Sequence, residues 1–216
     1  PLGKKDFFLW ACALFILVSY LLFAQSKGVW LALIAVVLMT PIWRGERIYL
    51  VCSFICFFCV LGVFFWMPEF ALQRGASHRP ELLHEGLDLL FNNNLLLGSG
   101  LGSAFKLQLD SVAAPFDHPH NMFLAIALRF GLIGFMLWLA AWLTVAQLAW
   151  RERSSRIGSV LLGVWLFASL ALLSDGDGPW VKPQEIWFLT WIPLGLALAL
   201  DRLVNKRQHS LSHAPG

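Results

Sequence analysis

Apolar residues fall into six long runs, at about 7–24, 29–43, 48–67, 119–150, 157–174 and 185–200. Short polar breaks such as QSKG, RGER, RERSSR and DGDGPWVKPQ separate most of them. A helix needs about 20 mostly apolar residues to cross a bilayer, fewer where neighbours shield its ends. The runs therefore predict an all-α membrane protein with six transmembrane helices. The second and sixth runs are short, and the fourth is long enough to tilt or project into water. One long polar segment interrupts the series, dividing the chain into spans one to three (1–67), a connecting segment (68–118), and spans four to six with a tail (119–216).

Loops of that length usually carry structure and often function. Within it, RPELLHEGLDLLF sets Leu83, Leu87 and Leu90 on one helical stripe, with Leu82, Gly86 and Leu89 beside it. Pro80 suits a first helical turn, and Asn92-Asn93-Asn94 ends the run. This predicts an amphipathic surface helix over about 80–91, with Arg79 at its start near the bilayer plane. The following GSGLG (98–102) lacks the Gly-Lys-Ser/Thr of a nucleotide-binding loop and reads as a tight turn.

Composition agrees: 58% of residues are hydrophobic, 13% are charged, and eleven are tryptophan. The net charge of +3 matters less than its distribution. Lys4, Lys5, Arg44, Arg47, Arg151, Arg153, Arg156, Arg202, Lys206 and Arg207 fall on one side of the predicted spans. Lys27, Arg74, Arg79, Lys106 and Lys182 fall on the other, and Arg129 lies within a span. Positive residues concentrate on the cytoplasmic side, so both ends are expected there, with 68–118 external, which is periplasmic in a Gram-negative cell. Cys12, Cys52, Cys56 and Cys59 all lie in apolar runs, where packing rather than thiol exchange is expected. The chain starts at Pro1 with no cleavable signal pattern and reads as a segment of a longer protein.

Titratable residues gather where the fourth run begins, in PFDHPHNMFLAIALRFGLIG (115–134). Pro119 fits a first helical position with Asp117 or His118 as cap, which puts His120 in the first turn. The positive helix end there favours a neutral imidazole that can accept a proton. At 100° per residue, Ala127, Gly131, Gly134 and Trp138 share the face of His120, predicting a small-residue groove beneath it. Asn121 offers hydrogen bonds beside it. Arg129 is expected deeper and on the opposite face, turned to a bundle interior or water-filled cavity. Asp117, His118 and His120 contain metal-ligand types, but their spacing matches no recognised site, and no metal is expected. Asp175-Gly176-Asp177 resembles the acidic pair of nucleotide-sugar transferases, yet Gly-Asp-Gly-Pro is foremost a turn signal.

Three of these pieces together resemble the O-antigen ligase and polymerase superfamily. His120-Asn121, nine residues, Gly131, two residues and Gly134 reproduce its histidine motif without a mismatch. RPELL (79–83) is similar to its external Arg-Pro-Glu signature, though Leu83 stands where an aromatic often follows. KPQEIWFLTWIPLG (182–195) is similar to its closing span. The family has roughly twice as many spans, so the resemblance implies a C-terminal half whose N-terminal portion supplies further external arginines.

The resemblance implies a glycosyltransferase, with no cofactor and no metal, that moves a glycan from undecaprenyl pyrophosphate to a hydroxyl of lipid A–core. His120 and Arg79 would be catalytic, the first as general base or by orienting that hydroxyl and the second neutralising the pyrophosphate. Asn121, His118, Gly131, Gly134 and Arg129 would contact substrate. Membrane lipids and the missing N-terminal half are the implied partners, and no nucleic acid is. Two alternatives stand beside this reading. One is an O-antigen polymerase or protein O-oligosaccharyltransferase of the same superfamily. The other is a transporter or flippase half, which the lack of an acidic partner for Arg129 within the spans disfavours.

Overall fold

The computed structural model describes residues 4–24, 26–66, 78–92, 94–102, 105–109, 111–112, 114–180 and 185–212. The first part of the connecting segment (67–77), with Arg74, and 181–184, with Lys182, lie outside the described residues. The described residues form helices α1 (Lys4–Ala24), α2 (Lys27–Met39) with a 3-10 turn (Thr40–Ile42), α3 (Arg47–Trp66), α4 (Arg79–Asn92), α5 (Met122–Arg151), α6 (Arg156–Ser174) and α7 (Glu185–Ser212). The one β feature among them is an isolated antiparallel bridge between Leu107 and Phe116. The fold is all-helical.

By length and composition, four helices can cross a membrane: α3, α5, α6 and the Ile186–Arg207 part of α7. The first two expected spans correspond to α1 and to the shorter α2 with its 3-10 turn. α3 buries no residue and turns Phe54, Phe58 and Trp66 outward, as a lipid-solvated helix does.

α6 is the central packing element, flanked by α2, α5 and α7. At one end, Val145 and Ala149 of α5, Leu161 and Leu162 of α6, and Ala197 and Leu200 of α7 form a core. At the other, Met122, Ile126 and Trp142 of α5 pack on Ala168 and Leu172 of α6. Trp142 is buried because its indole N–H has a partner, donating to Ser169 Oγ at 2.8 Å. Thr190 is buried on α7 with its hydroxyl bonded to the Ile186 carbonyl.

α4 forms where the amphipathic pattern predicts, but it buries a different stripe. Leu82, Gly86 and Leu90 face inward, whereas Leu83 and Leu87 are exposed. The absence of a side chain at Gly86 decides this. A Cβ there would lie 2.6 Å from Leu124 Cδ2, so the glycine lets α4 seat on the first turn of α5 without displacing that side chain. Leu90 joins Leu124, Ala127 and Leu128 in one cluster, and Leu82 joins Leu107 and Leu109 in another.

Candidate functional site

α5 is not one continuous helix. Gly131 has φ 64° and ψ −169°, a conformation essentially confined to glycine. An unbroken helix would bond Leu132 N–H to Leu128 O and Ile133 N–H to Arg129 O. Instead the two carbonyls accept from Ser99 N–H (2.9 Å) and Gly100 N–H (2.8 Å). The two freed N–H groups donate to the carbonyls of Leu95 (2.9 Å) and Leu96 (3.3 Å). Segment 94–101 thus replaces two helical hydrogen bonds with four, which is what a backbone break inside an apolar bundle requires. The tight turn expected at GSGLG is this splint.

The break revises the groove expected on α5. His120 precedes the helix, whose N-cap is Asn121 with Oδ1 accepting from Leu124 N–H at 3.0 Å. His120 itself adopts φ 49°. With His120 outside the helix and Gly131 interrupting it, the 100° rotation that placed five residues on one face does not apply. Ala127 is buried under α4, Gly131 lies against Leu96 and Leu97, Gly134 against Phe130, and Trp138 stacks on Trp142.

Arg129 sits about two turns inside α5, beside the break. Its guanidinium lies 5.1 Å from the ring centre of Phe105 and 5.9 Å from that of Trp180, and donates to the Leu101 carbonyl at 3.3 Å.

His120 meets a residue that the sequence reading assigned to a turn and not to the site. Its Nδ1 is 2.9 Å from Oδ1 of Asp175, 55 residues further on at the end of α6. Asp175 Oδ1 also accepts from Gly176 N–H at 2.9 Å. Two close approaches hold this register. A Cβ on Gly28 of α2 would collide with Ser174 Oγ, and one on Gly176 would lie 3.1 Å from Met122 Cβ. The turn at Asp175-Gly176-Asp177 is real, and it also presents a carboxylate. A signal existed: α5 and α6 are joined by a short turn and run antiparallel, so the start of one and the end of the other share a side.

The hydrogen bond from His120 is the main reason the Asp175 carboxyl lies below its ordinary pKa; partial burial opposes it, and the His120 charge, the Gly176 N–H hydrogen bond and, least, the Arg79 charge add to it. The field of Arg79, at the start of α4, therefore reaches the pair. An ionised carboxylate only accepts, so His120 Nδ1 must donate to it, and in the neutral imidazole this leaves the lone pair on Nε2. His120 keeps 30% of its side-chain surface exposed. The rings of His118 and His120 lie 4.1 Å apart, and Phe116 stands edge-on to His120 at 6.2 Å. His118 and His120 converge with Asp175, not with Asp117. Beyond Phe116, His78 and Ser111 both contact Glu81 Oε2, and their hydrogen bonds hold the Glu81 carboxyl below its ordinary pKa.

The arrangement is an imidazole–carboxylate pair ahead of α5, with a lesser electrostatic contribution from Arg79. An O-antigen ligase of Pseudomonas aeruginosa is 35% identical over 134 residues, covering 62% of this chain and 33% of that protein. The chain thus spans about a third of that relative's length. An atypical chemokine receptor 1 of Saimiri boliviensis boliviensis matches at 43% identity over only 51 residues, 22% of this chain and 15% of the receptor. No solved structure matches. The O-antigen ligase family profile matches residues 12–139, more than half of the chain and inclusive of α4, the splint, His120 and the break at Gly131, and the chain belongs to that family.

Proposed function

We propose that the chain carries the transfer site of a membrane glycosyltransferase of the O-antigen ligase type. It moves a glycan from undecaprenyl pyrophosphate to a hydroxyl of lipid A–core, on the periplasmic face of the inner membrane. The observation that carries this reading is the Asp175–His120 hydrogen bond, within the field of Arg79. Asp175 fixes the imidazole tautomer so that Nε2 faces the acceptor as a base. The acceptor oxygen attacks the anomeric carbon, its proton passes to Nε2, and the bond from that carbon to the pyrophosphate oxygen breaks. Arg79 meets the charge that develops on the leaving pyrophosphate. No step calls for a metal or cofactor. His118 lines the acceptor side, Asn121 caps α5 beside it, and Gly131 acts through the helix break rather than by lining a groove with Gly134. Arg129 braces that break first and contacts substrate second.

All six long apolar helices cross the membrane in this reading, with both ends cytoplasmic and 68–118 external. The exposed stripe of Leu83, Leu87 and Phe91 on α4 supports it, because it suits the outer leaflet while Leu82 and Leu90 hold the helix to α5. The test is His120→Ala in the full-length protein, expressed in cells lacking the native copy. Lipopolysaccharide cores without glycan are expected. Normal capping would refute the assignment of His120, and cores capped by one repeat unit would move the protein to the polymerases.

A further inference from the structure

Two imidazoles and a carboxylate converge ahead of α5. One ligand atom from each of His118, His120 and Asp175 lies within 4.8 Å of the other two. Ligand bonds to zinc are about 2.0–2.2 Å, so neighbouring donors around a tetrahedral ion stand roughly 3.3–3.5 Å apart. The 2.9 Å between His120 Nδ1 and Asp175 Oδ1 is a hydrogen-bond distance that opens slightly to admit an ion, and the set as a whole, within 4.8 Å, closes by about 1.3 Å to reach that spacing.

The backbone holds the set ready. Pro119, between the two histidines, is fully buried, and His120 is held in the left-handed region that a non-glycine residue rarely enters. Gly176 packs on Met122 and fixes the far side. The donor set selects among ions: magnesium and calcium prefer oxygen ligands, whereas two imidazoles with one carboxylate suit zinc and its neighbours. Three protein ligands leave a coordination position open to water, and all three side chains reach the surface.

We propose that His118, His120 and Asp175 form an inhibitory site for zinc or a similar borderline divalent ion. If the ion binds His120 through Nδ1, it breaks the bond to Asp175 and the ring must carry its proton on Nε2. If it binds through Nε2, it takes the lone pair that would receive the acceptor's proton. Either way the base is removed. The inhibition rests on the transfer reading of His120; the metal binding does not.

The test uses the full-length protein in detergent with Co²⁺ as a spectroscopic probe. The expected result is one equivalent of Co²⁺ with visible tetrahedral bands, displaced by Zn²⁺, and an apparent Kd at least about tenfold higher in His118→Ala. Transfer from a lipid-linked donor should fall in step with zinc occupancy and return when a chelator is added. Absence of stoichiometric Co²⁺ binding, or binding unchanged in His118→Ala, would overturn the site whatever the enzyme's activity. Stoichiometric binding with transfer unaffected or increased would overturn the inhibition and with it the role of His120 as base.

Discussion

Gly131→Ala is the substitution for which the structure supplies a magnitude. The backbone at 131 is one that an L side chain adopts only at a cost of about 1–3 kcal/mol. The added Cβ would also collide with the Leu96 carbonyl and the Leu97 nitrogen, so strain alone does not describe the outcome. The splint must retreat, and with it go some of the four hydrogen bonds from Ser99, Gly100, Leu132 and Ile133. Losing two, at about 1 kcal/mol each, adds about 2 kcal/mol. The total is about 3–5 kcal/mol, a large part of the 5–15 kcal/mol that keeps a typical domain folded. At about 2–4 °C per kcal/mol, the apparent Tm should fall by roughly 6–20 °C. The assay is thermal unfolding of the full-length protein in detergent, with Gly195→Ala as control. No atom lies within 4 Å of a Cβ at 195, so that change should be neutral or stabilise by up to about 1 kcal/mol. A Gly131→Ala protein melting within about 2 °C of wild type would mean that α5 is not broken there.

Asp175→Asn should slow transfer roughly 10–100-fold, toward the lower end of what acid–base groups contribute because the carboxylate is more than half exposed. An in vitro assay with lipid-linked donor checks this, and a loss under twofold would separate Asp175 from the chemistry. The pH dependence has a definite sign. The pKa of Asp175 is lower in the folded protein, so its stabilisation is complete above about pH 4 and is lost as pH falls through the lowered folded value. A Tm gap between wild type and Asp175→Asn should thus be present at pH 5 and close in stronger acid; a gap that widens there would refute the pairing. Arg79→Ala should abolish turnover by more than about 100-fold while Arg79→Lys retains part of it, since lysine keeps the charge but not the planar fork. Equal loss in both would argue for a packing role.

Most helices were readable from apolar run length alone, because a bilayer imposes a length on each span and leaves few alternatives. Their ends were less so. Pro119 looked like the start of α5, yet Asn121 caps it, because a cap is chosen by which side chain reaches the free N–H of Leu124. The stripe of α4 was displaced by one position, since hydrophobicity marks Leu82 and Leu83 alike and only the hollow at Gly86 decides which turns inward. Asp175 was passed over for a related reason. Its local sequence is a turn, as the φ of 135° at Gly176 bears out, and its meeting with His120 is a tertiary fact that no local window contains.

The break at Gly131 connects these points to function. A continuous α5 would tie the position of His120 to the membrane-spanning part of the helix. Broken as it is, the piece 122–130 is located by α4, through Leu90 and Leu124, by the splint bonded to the Leu128 and Arg129 carbonyls, and by α6, on which Met122 and Ile126 pack. Arg79 starts α4, so the same packing that places His120 also places the cation. Asp175 is carried separately by α6, which rests on α2 and on the span of α5. The proposed base thus shares one support, α4, with the leaving-group cation and another, α6, with the carboxylate that orients it. A substitution that loosens α4 should therefore disturb His120 and Arg79 together while leaving α6 folded. One that loosens the bundle should break the Asp175 bond first.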